Sequence, residues 1–359
     1  MSGVPQCLSV NPDPVAVAAL PAGAWTRHAR WLVLVPCLAA LPSLLDPPYG
    51  DNLTGAFPQA VWLAHHGFDV FGLLGESGFR DGGPRVYPTS VYPYFVGALY
   101  AAGLAPAAVF VVMHLVSIVS AGLLLVSFRA RLARVWDETT ALVVALALGS
   151  SPLFASLTAQ TNMDMPLAAA TWFALVAASE RRAWASFLAA ALAVHLKTSG
   201  ILAVVACSAC WAASTWRARA DPNQSARCAR IAFAHFALLA LAAGEAWLSS
   251  ASGSAAVYFE LGGGWRALLT ERAWLVPQFG VLLAIAVLAS PFWLARELRE
   301  PARDGSRAAL VFVAAMLLFY GQYTNVLARY FLQGVPVLAW FSATFAARWP
   351  AARRVVRGV

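Results

Sequence analysis

The sequence has too few charged residues to cover the surface of a water-soluble protein. Asp, Glu, Lys and Arg make up 12% of its 359 residues, whereas soluble domains carry about 25%. Hydrophobic residues make up 60%, and the mean hydropathy is +0.66. The apolar runs are long and do not alternate with polar residues, so they favour helices over the strands of a barrel. The sequence therefore predicts an all-α polytopic membrane protein.

Lysine is nearly absent, since Lys197 is the only lysine among the 25 basic residues. The net charge of +8 does not indicate nucleic-acid binding, because the basic residues form short clusters between apolar runs. Such clusters mark the cytoplasmic loops of membrane proteins. No nucleic-acid partner is predicted.

Cysteine is also scarce. The five cysteines are Cys7, Cys37, Cys207, Cys210 and Cys228. Cys207 and Cys210 have the CxxC spacing, but they lie in an apolar run without a second pair of ligands, which favours buried apolar side chains over a metal site. No disulfide framework is predicted.

The basic clusters predict about ten membrane spans within a domain of residues 31–347, between a cytoplasmic tail (1–30) and a basic cytoplasmic tail (348–359). Some of these spans are shorter than the ~20 residues that cross a bilayer. The first apolar run could alternatively belong to a signal peptide, but no clear cleavage site follows it, so an uncleaved helix is favoured. The predicted spans are 31–45, 107–128, 139–154, 167–179, 183–196, 201–216, 231–248, 273–294, 308–320 and 331–347.

The first extracytoplasmic loop, residues 46–105, is predicted to carry juxtamembrane helices. Residues 54–66 place Phe57, Ala60, Val61 and Ala64 at helical spacing, as in an amphipathic helix lying on the outer leaflet. Residues 87–106 are aromatic and rich in proline. Counting them as a span would put the next basic cluster outside, so a second juxtamembrane element is predicted.

Polar residues from four predicted outer loops face the same compartment. Carboxylates there can deprotonate an attacking hydroxyl or amine, and cations can hold a phosphate leaving group. The arrangement predicts a reaction on a lipid-phosphate substrate. The polar residues are, loop by loop, Asp46, Asp51, Arg80, Asp81 and Arg85 in the first, Asp164 in the second, Lys197 in the third, and Arg329 and Tyr330 in the last.

Five short motifs occur in the order found in a known family. They are GDNLTGAFPQAVWLAHHGF with Asp51, YPTSVYPYFVGALY with Tyr92, the Asp164–Leu167 sequence DMPL, the Lys197–Gly200 sequence KTSG, and ARYFLQGVP with Arg329. In this order the sequence resembles GT-C fold glycosyltransferases of the dolichyl-phosphate-mannose protein mannosyltransferase and aminoarabinose-transferase-like group. Two positions depart from the family pattern: Asn52 replaces the second acid of an acidic pair, and Gln333 stands where proline is frequent.

The resemblance implies a GT-C type helix bundle in a bacterial-type inner membrane, with an extracytoplasmic active site. It implies inverting transfer of a sugar from a polyprenyl-phosphate donor to a protein, lipid or glycan acceptor of the cell envelope. The implied catalytic residues are Asp51, as general base, and Asp164. The donor phosphate would contact Arg329, Lys197, Arg85 and Arg80, and the sugar or acceptor would contact Asn52, Tyr330 and Tyr92. A divalent metal, Mg²⁺ or Mn²⁺, is compatible with acids from two loops, but no metal-ligand set is predicted.

Each candidate residue also has a structural interpretation. Asp51 and Asp164 could cap the helices that follow them, and Lys197 could extend from a helix end to the interface. Arg329 could anchor its span beside Tyr330, and Arg80 and Arg85 could pair with Glu76 and Asp81. Glu245, inside a predicted span, is either structural or lines a cavity. The alternative functions are a transporter or flippase and a noncatalytic membrane scaffold.

Overall fold

The computed structural model describes residues 29–44, 46, 56–75, 90–250, 306–320 and 332–348. All regular elements in these ranges are helices, as the sequence predicts. In chain order the α-helices are α1 (Ala29–Ala40), α2 (Phe57–His65), α3 (Val70–Gly75), α4 (Val91–Ala101), α5 (Pro106–Leu132), α6 (Glu138–Gly149), α7 (Pro152–Thr158), α8 (Asp164–Ser179), α9 (Ala183–Leu196), α10 (Ile201–Arg217), α11 (Pro222–Ser250), α12 (Ser306–Tyr320) and α13 (Val335–Arg348).

Three helical segments in the described ranges are long and apolar enough to cross a membrane. They are Pro106–Leu132, Thr198–Arg217 and Pro222–Glu245, and a bent pair of helices, α6 and α7, would make a fourth. Shorter apolar helices occur at Trp31–Ser43, Asp164–Ser179, Ala183–Leu196 and Val311–Tyr320. A helical bundle of this kind belongs to an integral membrane protein. The predicted span at 273–294 lies outside the described residues, so the count of ten spans stays a prediction.

The predicted span at 139–154 is not one continuous helix. α6 ends at Gly149, and α7 begins at Pro152 after a bend of 65°. Proline has no backbone N–H and disfavours helical geometry in the residue before it. Ser151 accordingly adopts an extended conformation, with φ −61° and ψ 139°. The prediction of a span over 139–154 did not locate this break, which Pro152 explains.

The bundle is built around α8, which is buried along most of its length and packs against α5, α9 and α10. Its alanines allow neighbouring helices to approach closely. Trp172 of α8 is 2% exposed, and its indole N–H donates to the Ser127 hydroxyl at 3.1 Å. The ring of Trp172 also lies against Phe128, with 5.6 Å between ring centroids.

The helices predicted in the first loop are present, but one predicted face is wrong. α2 lies within the predicted range 54–66 and packs against α4. Its buried residues include Phe57, Ala60 and Leu63, whereas Val61, assigned to the apolar face, is 37% exposed. The contact with α4 is close, because a Cβ at Gly97 would lie 2.9 Å from the carbonyl oxygen of Ala60.

Basic residues meet at the end of the bundle where α8 turns into α9. The Glu180 carboxylate pairs with Arg131 at 3.2 Å, Arg134 at 3.0 Å and Arg182 at 3.4 Å. Arg181 makes the turn between the two helices with φ +58°. The two basic clusters that contribute these arginines were predicted to share the cytoplasmic face, and the structure brings them together at one end.

Candidate functional site

The opposite end of α8 and α9 carries an ion pair between Asp164 and Lys197. The Lys197 ammonium donates to Oδ1 of Asp164 at 2.7 Å. α8 and α9 are antiparallel neighbours of 16 and 14 residues joined by a short turn. Their far ends therefore lie at nearly the same level of the bundle, which brings the first residue of α8 next to the residue that follows α9.

The pair is enclosed on the side of the carboxylate and more open on the side of the ammonium. The side chain of Asp164 is 6% exposed and that of Lys197 is 28% exposed. Asp164 lies in the first turn of α8, where the helix dipole stabilises a negative charge. Lys197 follows the last turn of α9, where the dipole stabilises a positive charge. A carboxylate and an ammonium held in this way form a preorganised polar site.

Asp164 does not act as the N-cap of α8. Met163 occupies the N-cap position, and the start of α8 has no side-chain cap hydrogen bond. The carboxylate contacts Lys197 instead, so the capping interpretation does not account for Asp164. Lys197 likewise turns towards this carboxylate, which the snorkelling interpretation does not require.

A tight turn sets the position of Lys197. Lys197 is extended, with φ −159° and ψ 144°, and a short 3₁₀ helix, Thr198–Gly200, leads into α10. Gly200 lies directly against the backbone of Ala193 in α9, so a Cβ at Gly200 would clash with the Ala193 carbonyl. The KTSG sequence thus requires glycine at its last position.

We expect Gly200→Ala to destabilise the folded protein by about 3 kcal/mol, because the new methyl group meets rigid backbone. Thermal unfolding of the detergent-purified protein should show a midpoint lower by roughly 5 °C or more. Gly244→Ala is the matched control, since Gly244 lies in α11 with nothing within 4 Å of the added Cβ. That variant should be neutral or slightly stabilised. Equal midpoints for Gly200→Ala and wild type would show that the turn is not tight.

The loop that precedes α8, residues 159–163, is buried at Thr161 and Asn162, half-buried elsewhere, and hydrogen-bonded to two other helices. The Ser117 hydroxyl of α5 donates to the carbonyl of Gln160 at 2.9 Å. The Tyr92 hydroxyl of α4 donates to the carbonyl of Thr161. Burial raises the pKa of the Tyr92 phenol, and the nearby Asp164 carboxylate raises this pKa further. Tyr92 therefore stays protonated and remains a donor.

Six of the predicted site residues lie outside the described residues: Asp51, Asn52, Arg80, Arg85, Arg329 and Tyr330. Tyr92 is 3% exposed, and its hydroxyl is directed into the protein. Gln333 is described and buried, with its amide Nε2 donating to the Tyr320 hydroxyl at 2.8 Å. This bond ties the segment after Arg329 to the end of α12.

Glu245 of α11 affects the pKa of a tyrosine in the first-loop helices. Burial, and to a lesser degree the Glu245 charge, raises the pKa of Tyr94 in α4. In the described part of the chain, no three His, Cys, Asp or Glu side chains come together as a metal site requires.

Sequence reasoning missed the role of Ser117, and it treated Tyr92 only as a candidate ligand. No sequence signal marks Ser117, because a serine in a long apolar helix more often bonds to its own backbone. Tyr92 offered a weak signal, since a tyrosine in a proline-rich motif could reach the second loop.

The fold is similar to that of a solved membrane protein. The comparison structure is a crystal structure of ArnT from Cupriavidus metallidurans bound to undecaprenyl phosphate, with a TM-score of 0.56 and 15% sequence identity. The similarity covers 93% of this chain and 62% of that one, so this chain spans less than two thirds of the length of ArnT. The fold is therefore of the ArnT-like GT-C type. No protein-family model and no curated protein sequence matches the chain.

Proposed function

We propose that the chain transfers a sugar from a polyprenyl-phosphate donor to an acceptor on the extracytoplasmic side of the membrane. The observation that carries this proposal is the Asp164–Lys197 pair at one end of the α8–α9 hairpin. The GT-C type fold supports it, because the ArnT structure with this fold binds undecaprenyl phosphate. An ammonium that is partly exposed at a helix end suits an anionic headgroup that reaches it from the bilayer.

The proposed reaction is one inverting displacement at the anomeric carbon of the sugar. Asp51 accepts the proton of the acceptor hydroxyl or amine, whose oxygen or nitrogen bonds to the anomeric carbon. The bond from this carbon to the phosphate oxygen breaks, and polyprenyl phosphate leaves with the electron pair. Asp164 orients the acceptor and supports the base.

Cations stabilise the negative charge that develops on the departing phosphate. Lys197 takes this role, because Asp164 already holds its ammonium in place. Arg329, Arg80 and Arg85 are the further candidates for the phosphate, and Asn52 and Tyr330 for the sugar or acceptor. Fixed cations of this kind need little reorganisation as the leaving-group bond breaks.

The two ends of the bundle support an extracytoplasmic site. The end around Glu180 gathers three arginines, as expected for the cytoplasmic face. The Asp164–Lys197 pair lies at the other end of α8 and α9. In a bacterial-type inner membrane this orientation would direct the site towards the cell envelope.

Donor recognition is tested by thermal unfolding of the purified protein with undecaprenyl phosphate. A ligand present at 100 times its Kd stabilises a protein by about 2.7 kcal/mol, so a rise of roughly 5 °C in the midpoint is expected. Undecaprenol, which has the same chain without the phosphate, is the matched control and should have little effect. Equal shifts with both lipids, or no shift with either, would contradict recognition of the phosphate.

A further inference from the structure

The loop from Ala159 to Met163 is a polar connection whose central residues are buried in an apolar bundle. Thr161 is 3% exposed and Asn162 is 5% exposed. The carbonyl groups of such a loop lie outside any long helix and need other donors, because an unpaired buried carbonyl is costly. The donors that the protein supplies therefore determine where this loop lies.

Two successive carbonyls of the loop accept hydrogen bonds from hydroxyl groups on different helices. Ser117 of α5 donates to Gln160, and Tyr92 of α4 donates to Thr161. Within the loop, the Asn162 side-chain amide donates to Oε1 of Gln160 at 2.5 Å. The loop is therefore fixed to α5 on one side and to the first-loop helices on the other.

The position of Tyr92 is itself well determined. Its ring packs edge-to-face against Phe57 of α2, with centroids 6.3 Å apart. Phe57 in turn packs against Phe110 of α5 at 5.6 Å. The Tyr92 hydroxyl donates to the carbonyl of Thr161, which lies only three residues before Asp164. The Asp164 carboxylate in turn accepts a hydrogen bond from the Lys197 ammonium. A displacement of Thr161 would move the start of α8 and with it the carboxylate.

We propose that Tyr92 is a positioning residue for the Asp164–Lys197 pair, rather than a ligand of the sugar or acceptor. Its hydroxyl fixes the 159–163 loop at Thr161 and so determines where the first turn of α8 places the carboxylate. Tyr92 thereby links the first extracytoplasmic loop, which carries Asp51, to the second, which carries Asp164. The effect of Tyr92 on catalysis rests on the proposed function, but its effect on the loop does not.

Hydrogen exchange measured by mass spectrometry tests the positioning without any assay of activity. Tyr92→Phe keeps the ring packing and removes one hydrogen bond, so the amides of residues 159–163 should exchange about fivefold faster. Tyr100→Phe is the matched control, because Tyr100 lies on the same helix, is partly exposed, and its hydroxyl makes no hydrogen bond to the described residues. Ser117→Ala should also accelerate exchange in this loop, and it serves as the second probe if Tyr92→Phe does not fold. Unchanged exchange in the loop would overturn the proposal.

The catalytic consequence is tested with a double-mutant cycle in the transfer reaction. Tyr92→Phe should lower kcat about tenfold and change the donor KM less than twofold, since only the placement of Asp164 is altered. In an Asp164→Asn background, Tyr92→Phe should cause no further loss. An increased donor or acceptor KM with unchanged kcat would instead make Tyr92 a ligand and overturn the inference. Absence of transfer by wild-type protein would refute the proposed function, while the exchange experiment would still decide the role of Tyr92.

Discussion

Replacing Asp164 with Asn should lower sugar transfer by about 100-fold or more. A carboxylate that supports proton transfer contributes about 10²–10⁴-fold to a reaction rate, and an amide cannot replace its charge. The side chain is 6% exposed, so solvent cannot take its place. The measurement is the initial rate of transfer from a labelled polyprenyl-phosphate sugar, normalised to folded protein.

A double variant separates catalysis from stability. Asp164→Asn alone leaves the Lys197 ammonium without this carboxylate, which should cost about 2 kcal/mol of stability for a partly buried charge. Asp164→Asn with Lys197→Met removes both charges and should restore the unfolding midpoint towards that of wild type, without restoring transfer. If this double variant transferred sugar at the wild-type rate, the ion pair would serve stability alone.

Replacing Lys197 with Met should lower kcat by about 100- to 1,000-fold, as expected when a donor that stabilises the developing charge is lost. Lys197→Arg keeps the positive charge but has a planar headgroup, so a smaller loss is expected. The rates should be measured at saturating donor, and the donor KM should be determined in parallel.

Arg219→Met is the control for loss of a positive charge. Arg219 lies over the ring of Trp216, with 4.8 Å from its guanidinium carbon to the ring centroid. It follows α10 at the end opposite to Lys197, so its removal should leave the rate within about twofold of wild type. Similar losses of transfer rate in Lys197→Met and Arg219→Met would indicate a general effect of charge and contradict a specific role for Lys197.

The helical bundle and much of its topology could be predicted, because the bilayer restricts the choices. The composition places the chain in the bilayer. Backbone N–H and C=O groups there must pair with each other because water is absent, which leaves few architectures. The basic clusters placed Arg131, Arg134 and Arg182 on one face, and the structure gathers these three around Glu180. The same reasoning placed Asp164 and Lys197 together on the other face.

Sequence reasoning did not predict that Asp164 and Lys197 pair directly, because charge segregation assigns residues to a face and not to a partner. The pairing depends on the similar lengths of α8 and α9, which are 16 and 14 residues long, and on the turn at Gly200. Helix breaks such as that before Pro152 could have been predicted from local sterics. The exposure of Val61 could not, since it depends on which side of α2 receives α4.

The role of Tyr92 was hidden for a different reason. A hydroxyl that donates to a backbone carbonyl leaves no pattern in the acceptor sequence, because every residue has such a carbonyl. The contact joins residues 69 positions apart, between a juxtamembrane helix and a loop of the second outer segment. Only the packing of α4 beside the start of α8 reveals it.

The most direct test of the proposed function is transfer of a labelled sugar from polyprenyl phosphate to cell-envelope fractions. Membranes that contain wild-type protein or Asp51→Asn at matched expression should be compared for each available donor sugar. The proposed mechanism predicts transfer with wild type, release of polyprenyl phosphate in equal amount, and loss of both with Asp51→Asn. Equal transfer by both proteins would remove Asp51 from the mechanism. No transfer from any donor by the folded wild-type protein would contradict a glycosyltransferase and favour a transporter or scaffold.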